Sequence, residues 1–109
     1  MKNIDHVYWG AILNNIVAMI RLADDVDDPK AKGVRSGYSP HHKFAEIDYL
    51  VSGVHRYQDD RLHYPGEVLE TKISFVSWEF FKDIIKIGDV FEVLELDRLV
   101  GHGKVEIIL

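Results

Sequence analysis

Six histidines and a surplus of carboxylates are the side chains in this 109-residue sequence whose types could support chemistry. His6, His41, His42, His55, His63 and His102 invite a metal reading, because imidazole is a common ligand for zinc, copper and nickel. Spacing argues against a shared site. His41 and His42 are adjacent, so on a strand they face opposite ways. If Asp59-Asp60 is a two-residue turn, His55 pairs with Tyr64 and His63 with Arg56, which puts these two histidines on opposite faces as well. The expectation is therefore scattered surface or rim histidines and no metal.

Two acidic groups, Asp59-Asp60 and Asp24, Asp25, Asp27 and Asp28, are the candidates for acid–base work. Adjacent acids in a turn point apart into water and lack the burial that tunes a catalytic carboxyl. The Asp24–Asp28 group runs into Pro29, Lys30, Lys32, Gly33 and Arg35, the composition of a solvated connection. It lacks the alternating oxygen ligands, central glycine and distal glutamate of a calcium loop. No cysteine is present, which removes disulfides, thiolate zinc sites and thiol nucleophiles. No serine sits in a Gly-x-Ser-x-Gly setting, and no Gly-x-x-x-x-Gly-Lys-Ser/Thr occurs. The sequence is read as non-enzymatic, with no cofactor, no metal and no evident small-molecule substrate.

Tyr38, Tyr49, Tyr57, Tyr64, Trp78, Phe80 and Phe81 could build a stacking platform for single-stranded nucleic acid. Only Arg56 and Arg61 lie near that set in sequence, beside Asp59 and Asp60, so most of these aromatics are assigned to the core. Trp78, Phe80 and Phe81 share one short connection, where at least one must face outward, and an exposed aromatic is a natural interface anchor.

The elements that would position these residues read mainly as strands. Ile4, Val7, Tyr8, Ala11, Ile12, Ile16, Met19 and Ile20 follow helical spacing, whereas Ile16 to Leu22 is also a β-branched run of strand length. Residues 1–15 are therefore an extension open to either form, followed by a strand near 16–22. His42 to Tyr57 reads as extended, with Gly53 marking a bulge or a close backbone approach. Tyr64-Pro65-Gly66-Glu67 is a turn. Leu69, Thr71, Ile73 and Phe75 then alternate with Glu70, Lys72 and Ser74, the pattern of a strand with one wet face. Trp78, Phe81, Ile84 and Ile85 would share a face of a short helical turn. Gly88-Asp89 leads into a strand carrying Phe91 and Val93, and Asp97-Arg98 connects to a last strand. The expected core is Phe44, Val51, Leu69, Ile73, Phe75, Phe91, Val93, Val105 and Ile107. Short strands between Gly and Pro turns, without long helices, predict an all-β sandwich or small barrel.

The order of the turn motifs carries a resemblance. Ser36-Gly37-Tyr38-Ser39-Pro40 precedes one strand and Tyr64-Pro65-Gly66-Glu67 the next. Ile87-Gly88-Asp89-Val90-Phe91 and Arg98-Leu99-Val100-Gly101-His102-Gly103-Lys104-Val105 follow. Over residues 16–109 this looks like the C-terminal β-barrel (third) domain of elongation factor Tu and related translation factors, here free-standing. The resemblance implies a closed antiparallel Greek-key barrel of about six strands, and a strand at 16–22. The family's GTPase domain is missing. Asp28-Pro29-Lys30-Ala31-Lys32-Gly33 stands where the family has Gly-Gly-Arg, and Ser39-Pro40-His41 where it has Arg-Pro-Gln. Those polar positions serve tRNA or domain contacts in the family, and the residues kept are those that build a barrel.

Net charge is −5, with six basic against seven acidic residues through His55 and seven against eleven from Arg56 onward. An acidic field suits a basic protein better than phosphates. The expectation is a cytoplasmic protein-binding module whose interface uses Asp59, Asp60, Glu67, Trp78, Phe80 and Phe81. One version is an immunity protein that masks a nuclease toxin. The alternative is an RNA- or tRNA-binding module. No stretch reaches the roughly 20 apolar residues of a membrane span, and no secretory signal is read at Met1–Asp5.

Overall fold

A computed structural model describes residues 13–109. Ile16–Leu22 is strand β1, so the β-branched run prevails over the helical spacing there. The rest of the expected N-terminal helix-or-strand segment, residues 1–12, lies outside the described residues. Strands β2 (His41–Phe44), β3 (Val51–Arg56), β4 (Val68–Phe75), β5 (Val90–Glu95) and β6 (Arg98–Ile108) follow, with one short helix, α1 (Trp78–Phe81), after β4.

The six strands close into an antiparallel barrel in the order β1-β4-β3-β2-β5-β6, with β6 returning to β1. β2, β3 and β4 are consecutive neighbours, and β1 lies beside β4, which is the Greek-key order. Alternation decides what faces inward. In β4 the residues Leu69, Thr71, Ile73 and Phe75 are buried, and Glu70 and Lys72 face water.

Eight of the nine expected core residues are buried; Ile107 is not, at 49 % exposure. The cause is a bulge. Val17 pairs with Ile107 but Ala18 with Val105, so Glu106 has no partner on β1 and the alternation slips by one. Ile108 takes the inward place and packs against the core.

The stretch from His42 to Tyr57 is not one extended segment. It is the β2–β3 pair, joined by a turn over residues 45–50 that tucks Ile47 inward, its N–H donating to the Phe44 carbonyl. The last connection turns at Leu96-Asp97, one residue earlier than expected. Of the apolar residues assigned to one helical face, Phe81 and Ile85 are buried, Trp78 is half-buried, and Ile84 is 41 % exposed.

Two glycines are required by close approach. A Cβ on Gly101 would lie 2.6 Å from the Arg21 carbonyl oxygen, and one on Gly103 would lie 2.2 Å from the Phe91 ring. At Tyr64-Pro65-Gly66-Glu67, Gly66 takes φ +95°, and the Glu67 N–H donates to the Tyr64 carbonyl at 3.1 Å, as a Pro-Gly turn demands.

Candidate functional site

The polar side chains with chemical potential gather in the barrel interior and at its two ends. Interior first: β2 points His42 inward and β3 points His55 inward, both essentially fully buried. Their Nε2 atoms are 2.8 Å apart. His42 Nδ1 lies 2.9 Å from the Val51 carbonyl, and His55 Nδ1 lies 3.1 Å from the Tyr57 hydroxyl. A carbonyl only accepts, so assignment of the protons starts there. His42 donates Nδ1–H to Val51, His55 donates Nε2–H to His42, and the Tyr57 hydroxyl donates to His55. The whole chain is satisfied with both rings neutral. Burial pushes His42 down to about 4 and His55 well below its ordinary value, with a charge on His41 opposing one on His42 and a charge on His42 opposing one on His55. Burial also raises Tyr57.

These positions overturn the expectation of surface or rim histidines for His42 and His55, and His63, though at the rim, is buried. His55 pairs with Ile73 on β4, not with Tyr64, and His63 bridges to Val34, not to Arg56. Asp59-Asp60 is part of a longer loop, so the pairing built on a two-residue turn does not form. His41 is half-buried and His102 exposed; His6 lies outside the described residues.

At the end of the barrel where β1 finishes, the loop end, His63 is 3 % exposed between two carboxylates. Its Nδ1 is 2.9 Å from Glu67 and its Nε2 is 2.9 Å from Asp59. Only a ring carrying N–H at both nitrogens donates to both. Arg61 adds contacts to Asp59 at 3.3 Å and to Glu67 at 3.6 Å. The hydrogen bond from His63, then that from the Tyr64 N–H, hold Glu67 below the ordinary carboxylate range. At Asp59 partial desolvation acts the other way and is outweighed by the Arg61 N–H and His63. The two carboxylates approach opposite edges of one ring and both also reach Arg61, so side chains of the protein already meet their charge. Among the described residues no three His, Asp or Glu side chains are grouped to hold a metal. Asp60 is exposed, and its main-chain carbonyl accepts from Arg35 at 3.0 Å.

A second cluster at the same end ties down the polar loop over residues 23–37. Glu95 accepts from the Tyr38 hydroxyl and pairs with Lys30 at 2.8 Å and Arg98 at 3.3 Å. Arg98 also reaches Asp28 at 3.2 Å and the Pro29 carbonyl at 2.7 Å. Burial, then the neighbouring carboxylate, pushes the Tyr38 hydroxyl well above its ordinary value.

The opposite, helical end carries the aromatic segment. α1 turns Phe81 into the core at 1 % exposure and leaves Phe80 82 % exposed. Trp78 is half-buried, stacked on Phe75 with centroids 5.8 Å apart. Phe80 shares a shallow cleft with Leu13 and Val76, which are 68 % and 80 % exposed. The six expected interface residues therefore do not form one surface. Asp59, Asp60 and Glu67 lie at the loop end and Trp78, Phe80 and Phe81 at the other, separated by the length of β4, about 23 Å at roughly 3.3 Å per residue.

No protein-family model and no curated protein matches the sequence. No described helix is long and apolar enough to cross a membrane.

Proposed function

We propose that this chain is a non-catalytic barrel that binds a basic protein, with Phe80 as the apolar anchor. The observation that carries this reading is the 82 % exposure of Phe80 beside Val76 and Leu13 at one end of the barrel. An aromatic left in water adds nothing to folding, whereas burying such a side chain against a partner is worth about 1.5–3 kcal/mol. The net charge of −5 favours encounter with a basic partner. A nuclease toxin masked by this chain as an immunity protein, in the cytoplasm, is one instance.

The side chains that might have done chemistry support the non-catalytic part. His42 and His55 are sealed in the core, and His63 has both nitrogens engaged. The likeness to the third domain of elongation factor Tu enters the same proposal. Tyr38 precedes β2, Pro65-Gly66 precedes β4, and Gly101 and Gly103 lie on β6 where β1 and Phe91 press close.

The test is to place a photoreactive phenylalanine analogue at position 80 and irradiate in the source cell. The expected product is a covalent adduct with one basic protein, formed equally in nuclease-treated extract. An adduct with RNA, or a recovered partner whose binding is unchanged by Phe80→Asp, would overturn the reading.

A further inference from the structure

The outer wall of the barrel breaks the rule that antiparallel strands show water their polar side. Val68 and Val90 point outward, 58 % and 62 % exposed, and Met19 lies half-buried between them. Together with Arg21, Lys43 and Lys104 they line an open groove of about 650 Å3. Its floor reaches Phe91 and Gly103, where the absence of a side chain on Gly103 lets the Phe91 ring sit under the wall.

Register shows how the groove runs. Val68 pairs with Arg21, Arg21 with His102, His102 with Glu92 and Glu92 with Lys43. That is one unbroken row across five strands. A second row beside it runs Met19, Lys104, Val90. Four steps at about 4.8 Å make the long row roughly 19 Å, the length of about six extended residues. Arg21 is paired with Asp24 at 2.9 Å, but among the described residues neither Lys43 nor Lys104 has an ion-pair partner.

We propose that this groove binds an extended peptide segment whose apolar and acidic side chains fall at every second residue, so that both kinds face the wall, lying across strands β4, β1, β6, β5 and β2. Its apolar side chains rest on Met19, Val68 and Val90, and its carboxylates meet Lys43 and Lys104. Three observations choose this occupant. With Arg21 paired to Asp24, the unpaired Lys43 and Lys104 still outnumber Glu92, the one carboxylate lining the groove, in a chain that is acidic as a whole, so the complement is an anion. The row is longer than one small carboxylate can fill. No exposed aromatic lines the groove, Phe91 being 3 % exposed, so a nucleic acid would find phosphate contacts but no surface on which to stack its bases. This site does not rest on the reading at Phe80, which uses another face and the opposite charge.

The experiment is an NMR titration of the isotope-labelled chain with four probes: a short Leu-Ser-Glu-Ser repeat peptide, its Leu-Ser-Lys-Ser twin, decanoate and oligouridylate. The glutamate peptide is expected to shift the amides of Met19, Val90, Lys104 and their neighbours. Lys43→Glu with Lys104→Glu should weaken it by about tenfold or more, with an unchanged melting temperature, since both residues are exposed. Val90→Thr, which keeps the strand and removes apolar surface, should weaken it without altering its salt dependence. The proposal is overturned if the lysine twin binds as well, if charge reversal changes nothing, or if decanoate or oligouridylate moves these amides while the glutamate peptide does not. Adduct formation at position 80 is unaffected by any of these outcomes.

Discussion

His42 and His55 meet through their Nε2 atoms at 2.8 Å in the centre of the barrel, and the pair holds one proton between them. The outer nitrogen of each ring is tied in turn, to the Val51 carbonyl and the Tyr57 hydroxyl. A second proton has no acceptor to point at and would place a charge where no carboxylate reaches.

Stability should therefore fall with acid through the histidines before the carboxylates titrate. Unfolded, each histidine has a pKa of about 6.5; folded, His42 is held down to about 4 and His55 well below 6.5. Between these values the unfolded chain binds protons that the folded chain does not, so stability rises with pH. The contribution is complete above about pH 6.5 and is lost as pH falls toward about 4, on the order of 1 kcal/mol per unit for each ring. Urea melts from about pH 7.5 down to about pH 4.5 measure it. A flat profile over that range would show the pair to be charged or solvated. Asp59, Glu67 and Glu95, all lowered, act in the same direction at more acidic pH.

Gly53 makes the space for the pair. A Cβ there would lie 3.0 Å from His42 Cε1, 3.0 Å from Phe75 Cδ1 and 2.9 Å from Ile73 Cγ2. Gly53→Ala should destabilise by about 1–3 kcal/mol, the usual cost of overpacking. Its effect should shrink in a His42→Ala background, where the crowded ring is gone. Chemical denaturation of the four proteins of this cycle decides it, and strict additivity would refute the crowding.

Phe80 and Phe81 separate stability from binding within two adjacent residues. Phe81→Ala empties a core site packed against Phe44, Phe75 and Trp78 and should cost about 3–5 kcal/mol. Phe80→Ala removes a side chain that is mostly in water and should stay within about 0.5 kcal/mol of the wild type. Thermal or urea melts of both variants test this, and equal losses would mean that Phe80 is packed.

Leu96 is the one described non-glycine residue at positive φ, +56°, at the first position of the Leu96-Asp97 hairpin turn. Glycine suits that position, and the leucine side chain is 82 % exposed, so it supplies little packing in return. Leu96→Gly should stabilise by about 1 kcal/mol, the left-handed strain relieved at one residue. A fall in the denaturation midpoint would contradict this.

What was legible in the sequence follows the range of the interaction. Leu69 to Phe75 could be read because one wet face makes period two visible locally. The Pro65-Gly66 turn and the glycines of β6 were equally plain, since each answers to its own backbone. Ile107 was misplaced because the bulge at Glu106 is a property of two strands and leaves no mark on one. The turn over residues 45–50 was missed because Ala45-Glu46-Ile47-Asp48-Tyr49-Leu50 holds neither Gly nor Pro. The inward direction of His55 was available from its alternation with Val51 and Gly53. Its meeting with His42 depended on the β2–β3 pairing across that missed turn, and the true partner of His63, Val34, lies 29 positions before it. For the same reason the split between the acidic residues and the aromatic segment emerges only once β4 is seen to run between them.

The pairing of β1 with both β4 and β6 has a kinetic meaning. The first strand of the barrel to be made on the ribosome waits for the last, because its hydrogen bonds along one side are supplied only by residues 101–108. Until then β1 and β5 both present open edges, and β1 is the most apolar strand of the barrel. Contacts this distant in sequence slow folding, since the loop must close before the pairing rewards it. Nascent or truncated chains that lack β6 should accordingly be caught by chaperones or join edge to edge with one another. Chains that include β6, whose seam is closed, should not.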